Sequence, residues 1–308
     1  DFFQSLLDGH EEILTFPGIF YFDIFLKELK IQKINPGKLF VKLYRKFFDS
    51  RLNSFERHDK LGKYKNSYYK VDERKFLKKF NQINKEKNNK QELLKNLHIA
   101  YAYAKDEKLK SKKLIFLHIH HWYRLKYIND LNFILLYTLR DPLINLSSAF
   151  KNWTNYNNSK SFSYGALCYY YDRIRNGIEY CELAQKNNIY VIRLEDIHLK
   201  NKILINNFCK LFNLKKDKCL YRSTFHNKQW WGDVISKKFL NGINKNYHAK
   251  IDKNLFFNFD IKYLKSSMNR IYNDFYDQKP KKINKYSYRP LKMELLLLKR
   301  DLMKLKFF

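Results

Sequence analysis

A short segment near the middle of the sequence places ionisable and hydroxyl groups directly after an apolar run. The run covers residues 133–139, and the polar groups that follow it are Arg140, Asp141, Ser147 and Ser148. An arginine at the carboxyl end of a buried parallel strand emerges where open sheets bind their ligands. Its guanidinium offers a charged fork to a phosphate, and a serine on the next helix offers a neutral donor. The segment therefore predicts an anion site; the alternative is that Arg140 pairs with a neighbouring carboxylate.

A second group of ionisable residues lies at the end of the apolar run 114–119. It contains His118, His120 and His121. Alternation along a strand places His118 and His120 on one face, and a histidine there can accept a proton near neutral pH. Two such histidines can also share a metal ion, but the sequence shows no cysteine or carboxylate ligands nearby, so we predict no metal site. The remaining alternative is that they are hydrogen-bonded structural residues.

The apolar runs that precede these groups predict parallel strands. Runs 114–119, 133–139 and 189–194 are short and almost continuously apolar, and long helical segments separate them. Such runs with long connections are typical of parallel strands buried between layers of helices. We therefore predict an α/β fold of three layers, with a central parallel sheet flanked by helices. Residues 13–16, which end at Pro17-Gly18, predict a further strand.

Helical periodicity predicts the elements that cover the sheet. The predicted helices are 1–10, 19–29, 38–48, 142–153, 163–186, 199–211, 261–275 and 291–305. Asp141 is expected to cap the helix whose first turn contains Pro142. Residues 49–113 are densely charged and have amphipathic stretches only at 71–83 and 93–103, so we predict a helical insertion there. The chain 1–308 is then a single α/β domain with that insertion.

The composition limits the class of protein. With 308 residues, 45% hydrophobic and 18% aromatic, the chain can bury a sizeable core, which argues against a disordered or collagen-like protein. It lacks a run of about 18 uncharged apolar residues, so we predict no transmembrane segment. The four cysteines show no C-x-x-C pair and are predicted to be buried or inert thiols.

The charge is strongly positive. There are 61 Lys and Arg residues against 30 Asp and Glu, which gives a net charge of +31. A charge of this size suits an anionic partner such as a phosphate, a sulfate, a nucleic acid or an acidic polysaccharide. Only 13 of the 61 are arginine, and Asn, Ile, Phe and Tyr are also abundant, a combination that an AT-rich coding sequence produces without selection for binding. Both origins of the charge stay open.

The motifs, taken in order, resemble those of the sulfotransferases that use 3′-phosphoadenosine 5′-phosphosulfate (PAPS). Arg140-Asp141-Pro142 followed by Ser148 is similar to that family's 3′-phosphate-binding motif. The opening FFQSLLDGHEEIL with PG after it resembles the helix and strand that follow the family's 5′-phosphosulfate loop. Residues 191–197 resemble its strand ending in an acidic pair, and residues 225–233 its nucleotide-covering loop. The resemblance covers most of the chain and is weakest at 49–113.

The resemblance implies a P-loop NTPase-like fold and a metal-free transfer of a sulfuryl group from PAPS to a hydroxyl or amine. A carbohydrate acceptor is compatible with the basic charge. Arg140 and Ser148, with Ser147, would bind the 3′-phosphate; Phe225 would cover the adenine, and its alternative is a core position. Lys228 would meet the 3′-phosphate or the bridging region, and its alternative is a solvated lysine.

The resemblance also implies a general base and a missing loop. Some family members carry Lys-x-His at the strand end, which falls on His118 and His120, so His120 is the predicted base although the lysine is replaced. Other branches use a carboxylate, for which Glu11 or Glu12 would stand in. Backbone amides and a helix N-terminus suit the 5′-phosphosulfate, and the loop that supplies them is expected to precede Asp1, so the sequence is expected to be truncated just after it.

Two other function classes compete with sulfuryl transfer. A non-catalytic binder of polyanions or nucleic acid predicts a basic stripe interleaved with exposed aromatics, although the sequence has no recognised DNA- or RNA-binding motif, and we predict no specific nucleic-acid partner. A P-loop kinase or other NTPase would share the fold but would need Mg²⁺ ligands and a full Walker loop. Oligomeric state and compartment stay open, with a bacterial cytoplasm and a Golgi lumen both compatible with the sequence.

Overall fold

The chain forms a mixed α/β structure that is mostly helical. The computed structural model describes residues 1–85, 89–155, 163–184, 189–235, 239–240, 242–248, 250–280 and 289–305. In chain order, its α-helices are α1 (Phe2–Leu7), α2 (Phe22–Gln32), α3 (Pro36–Leu43), α4 (Arg45–Phe48), α5 (Glu73–Ile83), α6 (Lys90–Ala104), α7 (Pro142–Asn155), α8 (Tyr164–Ala184), α9 (Leu194–Leu199), α10 (Asn201–Leu211), α11 (Asn258–Ser267), α12 (Asn269–Tyr276) and α13 (Leu291–Leu305). Its strands are β1 (Ile13–Thr15), β2 (Leu114–Phe116), β3 (Leu135–Leu139), β4 (Ile189–Arg193), β5 (Thr224–Phe225) and β6 (Lys228–Gln229).

The strands that the structure describes pair as three two-stranded sheets. β1 pairs with β2 and β3 with β4, both parallel, whereas β5 and β6 form an antiparallel hairpin. The α/β class and the parallel pairing are therefore confirmed. Within the described residues these pairs are not joined into one large central sheet.

The predicted strands differ from the observed ones in length and burial. β2 ends at Phe116 rather than at Ile119, and β3 begins at Leu135. The apolar runs predict burial on both faces, but the side chains of β2 are half-buried, and in β3 only Leu139 is buried.

The chain divides into two compact units. The first contains Asp1–Ile134 and Asp196–Lys245, and the second contains Leu135–Glu195 and Asn246–Phe308. In the first unit, α2 to α6 surround a core rich in aromatic rings, in which Phe40, Phe47 and Phe76 are fully buried. The charged region 49–113 is helical where the sequence predicts it, since its two amphipathic stretches correspond to α5 and α6.

The second unit has its own core. Helices α7, α8, α11, α12 and α13 and strand β3 contribute buried residues to it, and the partly buried Val191 of β4 packs against them. Gly177, in α8, permits close packing, because a Cβ there would lie 2.3 Å from the hydroxyl oxygen of Tyr137 in β3. The predicted helix 261–275 is broken into α11 and α12 at Met268, which is 2% exposed and non-helical (φ −112°, ψ 26°). The hydrophobic periodicity does not predict this break, because the apolar residues before and after Met268 continue the same helical face.

Candidate anion-binding site

The candidate site lies at the carboxyl end of β3 in the second unit. β3 and β4 run parallel with Leu139 opposite Arg193, so both strands end at the same edge. Arg140 is the next residue after β3, and α7 begins at Pro142. This is the strand–turn–helix arrangement in which parallel sheets place ligand-binding residues.

Asp141 caps the helix, as the sequence predicts. Its Oδ1 accepts hydrogen bonds from the backbone N–H groups of Leu143 and Ile144, both at 3.0 Å, and from the Tyr272 hydroxyl at 3.3 Å. Burial raises the pKa of Asp141, and the nearby carboxylate of Glu195 raises it further. The first orphan amides of α7 are thus satisfied by this side chain.

Glu195 is likewise engaged in structural contacts. Its Oε1 accepts the backbone N–H of Asp141 at 3.0 Å, and its Oε2 accepts the Tyr276 hydroxyl at 3.1 Å. The side chain of Arg193, in β4, donates to the backbone oxygen of Phe275 at 2.6 Å. Both carboxylates near the end of β3 therefore have hydrogen-bond donors of their own.

Arg140 lacks such a carboxylate partner. No Asp or Glu among the described residues forms an ion pair with it, and its Nε is buried without a hydrogen-bond partner. The guanidinium interacts with the hydroxyl of Tyr247. Arg140 is half-buried, so it presents a cation whose N–H groups are not all used within the unit. This argues against the alternative in which Arg140 pairs with a neighbouring carboxylate.

The two serines of α7 differ in what their hydroxyls can do. Ser147 is 4% exposed and donates to the backbone oxygen of Ile144 at 3.1 Å. Ser148 is half-buried and accepts from Asn152 Nδ2 at 3.4 Å. The Ser148 hydroxyl hydrogen has no acceptor among the residues that the structure describes. Of the two predicted serines, Ser148 is therefore the one with a donor to offer a ligand.

The histidine cluster lies in the first unit and is arranged differently from the prediction. Because β2 ends at Phe116, the alternation that would place His118 and His120 on one strand face does not apply. His118 Nδ1 lies 3.1 Å from Gln4 Oε1 and 3.2 Å from the Asp1 carboxylate. The His120 ring lies 6.1 Å from that of His118. The Asp1 carboxylate is thus a neighbour of His118.

The alternative carboxylates of the first unit are held by lysines. Glu12 is 2% exposed, lies 2.6 Å from Lys113 Nζ and accepts the Lys215 backbone N–H. Glu11 forms an ion pair with Lys215 at 3.1 Å. Both contacts favour structural roles for Glu11 and Glu12.

Phe225 and Lys228 face each other across the β5–β6 hairpin of the first unit. Phe225 is 1% exposed and packs against His58 and Trp230, with ring centroids 4.3 and 5.2 Å away. Such contacts favour the core alternative, because a ring that stacks on adenine needs an open face. Lys228 is half-buried, and no described carboxylate forms an ion pair with it.

The predicted site residues are therefore distributed over both units. Arg140, Ser147 and Ser148 belong to the second unit, whereas His120, Phe225 and Lys228 belong to the first. Tyr247 beside Arg140 and Gln4 beside His118 were not predicted, because each is more than a hundred residues from its partner and has no motif of its own.

The prediction of buried or inert thiols is confirmed for Cys181, Cys209 and Cys219. All four are free; Cys181 and Cys209 are buried, and burial raises the pKa of Cys181 and of Cys219 to about 12.

In the described part of the chain, His, Cys, Asp and Glu do not cluster in groups of three or more that could hold a metal ion. None of the described helices is both long and apolar enough to cross a membrane.

Comparison with known proteins gives no family for this chain. No protein-family model, no curated protein and no solved structure matches it.

Proposed function

We propose that this protein is a sulfotransferase that transfers a sulfuryl group from PAPS to a hydroxyl or amine of an acceptor. The observation that carries the proposal is Arg140, a half-buried guanidinium at the carboxyl end of a parallel strand. Within the described part of the chain, its buried Nε has no hydrogen-bond partner and no carboxylate forms an ion pair with it. The family resemblance adds the Ser148 hydroxyl, on the following helix, as a second donor to the anion. A phosphate accepts charged and neutral hydrogen bonds of this kind.

The residues divide the chemistry in the following way. Arg140 and Ser148 bind the 3′-phosphate of the nucleotide, which identifies PAPS among adenine nucleotides because ATP lacks that group. PAPS supplies the activated sulfuryl group. The acceptor oxygen or nitrogen forms a bond to sulfur while the bond from sulfur to the phosphate oxygen breaks, and the acceptor proton passes to a base. His120 is the base that the family resemblance implies, and His118 is the neighbouring alternative with a carboxylate partner.

The finer fold belongs to the same proposal. The parallel pairs β1–β2 and β3–β4, each with helices between its strands along the chain, are what a P-loop NTPase-like sheet with helices on both faces would contain. A carbohydrate acceptor is consistent with the net charge of +31, since many polysaccharides carry carboxylate or sulfate groups.

The proposal is tested by titrating the chain with 3′-phosphoadenosine 5′-phosphate in a calorimeter, with ATP as the comparison nucleotide. We expect the bisphosphate to bind at least tenfold more tightly than ATP. We expect Arg140→Ala to weaken its binding tenfold to hundredfold, because a charged hydrogen bond contributes about 1.5–3 kcal/mol. Ser148→Ala should weaken binding by a smaller factor, and Ser147→Ala should leave it unchanged.

Arg270→Ala is the matched control, because it removes the same charge from an arginine that already pairs with Glu179, Glu182 and Asp274. Equal affinity for both nucleotides, or equal losses in Arg140→Ala and Arg270→Ala, would contradict the proposal. If binding is as expected, loss of sulfuryl transfer in His120→Ala but not in His118→Ala would identify the base.

A second candidate function, polyanion binding without catalysis, is favoured by a surface of the first unit. Lys65 Nζ lies 4.1 Å from the ring centroid of Phe239 and 5.0 Å from that of Trp231, and the Arg57 guanidinium lies 4.5 Å from Phe239. Tyr64, between Lys63 and Lys65, is 76% exposed. Lys63, Tyr64, Lys65 and Phe239 are exposed and form the interleaved basic and aromatic surface that this function predicts, whereas Arg57 is buried. Tight heparin binding that depends on Lys63 and Lys65, without bisphosphate binding, would favour this candidate.

A further inference from the structure

The last described helix, α13, has apolar residues on two opposite faces. Met293 and Leu297 are 0% and 2% exposed and belong to the core of the second unit. The other face carries leucines that are 39%, 46%, 56% and 52% exposed, namely Leu291, Leu295, Leu298 and Leu302. Removing these leucines from water would be favourable, because burial of apolar surface is the main driving force for association. A helix that already packs on its own core on one side is therefore left with a second apolar face.

The spacing of the exposed leucines is specific. They follow one another at intervals of four, three and four residues, which is the a/d spacing of a coiled coil. With Leu291 and Leu298 at d and Leu295 and Leu302 at a, the core residues Met293 and Leu297 occupy f and c. Those positions lie on the far side of the helix from the a/d seam. The buried face and the exposed seam therefore do not compete for the same residues.

Charged residues border the seam in a regular order. Lys292 and Lys299 occupy the e positions, and Glu294 and Asp301 occupy the g positions. Lys292, Glu294 and Lys299 form no ion pair with any residue that the structure describes, while Asp301 pairs with its neighbour Arg300. In coiled coils, charges at e and g select the partner and its orientation.

We propose that α13 forms a parallel coiled coil with α13 of a second copy of this chain. In a parallel pair, each Glu294 lies beside Lys299 of the other copy, so both flanks carry opposite charges. In an antiparallel pair, Glu294 would lie beside Asp301 and Lys292 beside Lys299, so like charges would meet on both flanks. The charges thus favour a second copy of α13 as the partner, in the parallel orientation. This inference is independent of the proposed function.

A membrane surface suits this helix less well. Helices that lie on membranes present a polar face rich in Lys and Arg to water, opposite their apolar face. In α13 the face opposite the leucines is buried in the protein core, and acidic residues follow the seam as closely as lysines do.

The oligomeric state of single and mixed variants tests the proposal by sedimentation equilibrium at micromolar concentrations. We expect the parent chain to dimerise. Glu294→Lys and Lys299→Glu each place like charges across both flanks, and each should weaken the dimer about tenfold. An equimolar mixture of the two variants should restore dimers, because every cross-strand pair is then opposite in charge. Leu298→Lys should abolish the dimer while circular dichroism shows an unchanged fold.

Orientation is tested by oxidative cross-linking. In a parallel pair, residue 298 faces itself, so Leu298→Cys should form a disulfide-linked dimer, whereas in an antiparallel pair it would face residue 295. The parent chain, with its native cysteines, and Leu211→Cys, which changes a 38% exposed leucine of α10, are the controls.

Three results would overturn the inference: a monomeric parent chain, a dimer unaffected by Leu298→Lys, or no cross-link through residue 298. A monomer that instead sediments with phosphatidylcholine–phosphatidylglycerol vesicles through the same leucines would overturn it in favour of a membrane surface.

Discussion

At the residue scale, Arg140 and its neighbour Asp141 differ in whether their charge already has a partner. Asp141 uses one oxygen, Oδ1, for two backbone N–H groups and the Tyr272 hydroxyl. The buried Nε of Arg140 has no hydrogen-bond partner among the residues that the structure describes. A satisfied group contributes to stability, whereas an unsatisfied buried donor costs stability until a ligand accepts from it. We therefore assign Asp141 a role in the fold and Arg140 a role in binding.

This division predicts how Asp141 responds to substitution. Its pKa is raised by burial, so the folded state disfavours the carboxylate, and stability decreases as the pH rises above the carboxyl pKa of the unfolded chain. Asp141→Asn retains Oδ1 and removes the charge, so at pH 7 it should be at least as stable as the parent. Asp141→Ala loses the cap and should lower the free energy of unfolding by about 1–2 kcal/mol. Denaturant unfolding measures both, and equal losses in the two variants would contradict the assignment.

At the scale of elements, one buried carboxylate connects two helices of the second unit. Asp260, in the first turn of α11, is 0% exposed. Its Oδ2 accepts the backbone N–H groups of Phe257 and Lys292, and its Oδ1 accepts that of Leu291. The start of α13 is thereby fixed beside the start of α11, which holds Met293 and Leu297 in the core and leaves the leucine seam outside.

Replacement of Asp by Asn, which we expect not to lower stability at position 141, should therefore lower it at position 260. Both oxygens of Asp260 accept backbone N–H groups, so Asp260→Asn places an amide N–H₂ against a backbone donor. We expect it to lower the free energy of unfolding by about 1–3 kcal/mol. Denaturant unfolding measures the free energy of unfolding of Asp260→Asn, which is compared with that of Asp141→Asn. An Asp260→Asn variant as stable as the parent would show that α13 does not depend on this carboxylate.

At the scale of the whole molecule, buried neutral histidines make stability depend on pH. Burial lowers the pKa of His58 and of His98 from 6.5 to about 4, and lowers that of His226 well below its ordinary value. Between pH 6.5 and about 4 the unfolded chain therefore binds protons that the folded chain does not. Stability decreases over this range as the pH falls, and the net charge of +31 adds self-repulsion as further protons bind.

His98 offers the clearest test of this dependence. Its ring stacks on Phe16 with centroids 3.8 Å apart, and its Nδ1 contacts the Leu94 backbone oxygen. Its Nε2 is buried and has no hydrogen-bond partner among the described residues. His98→Phe keeps an aromatic ring but removes the titrating group. We expect the free energy of unfolding, measured from pH 7.5 to 4.5 at constant ionic strength, to decrease less steeply than in the parent. An unchanged slope would show that His98 does not contribute.

Much of the local structure follows from the sequence alone. The cap at Asp141, the start of α7 at Pro142, the limits of α13 and the parallel strands were predictable because they depend on neighbouring residues and on periodicity. The identities of Arg140 and Ser148 as candidate ligands were predictable for the same reason, since a motif is a local pattern.

Other features depend on contacts between distant parts of the chain, and only the tertiary structure decided them. The end of β2 at Phe116, the core position of Phe225 and the engagement of Ser147 within α7 distinguish between alternatives that the sequence left open. Only the tertiary structure likewise shows that no described carboxylate pairs with Arg140. Burial and hydrogen-bond satisfaction depend on which residues meet in space, and composition and spacing do not encode that.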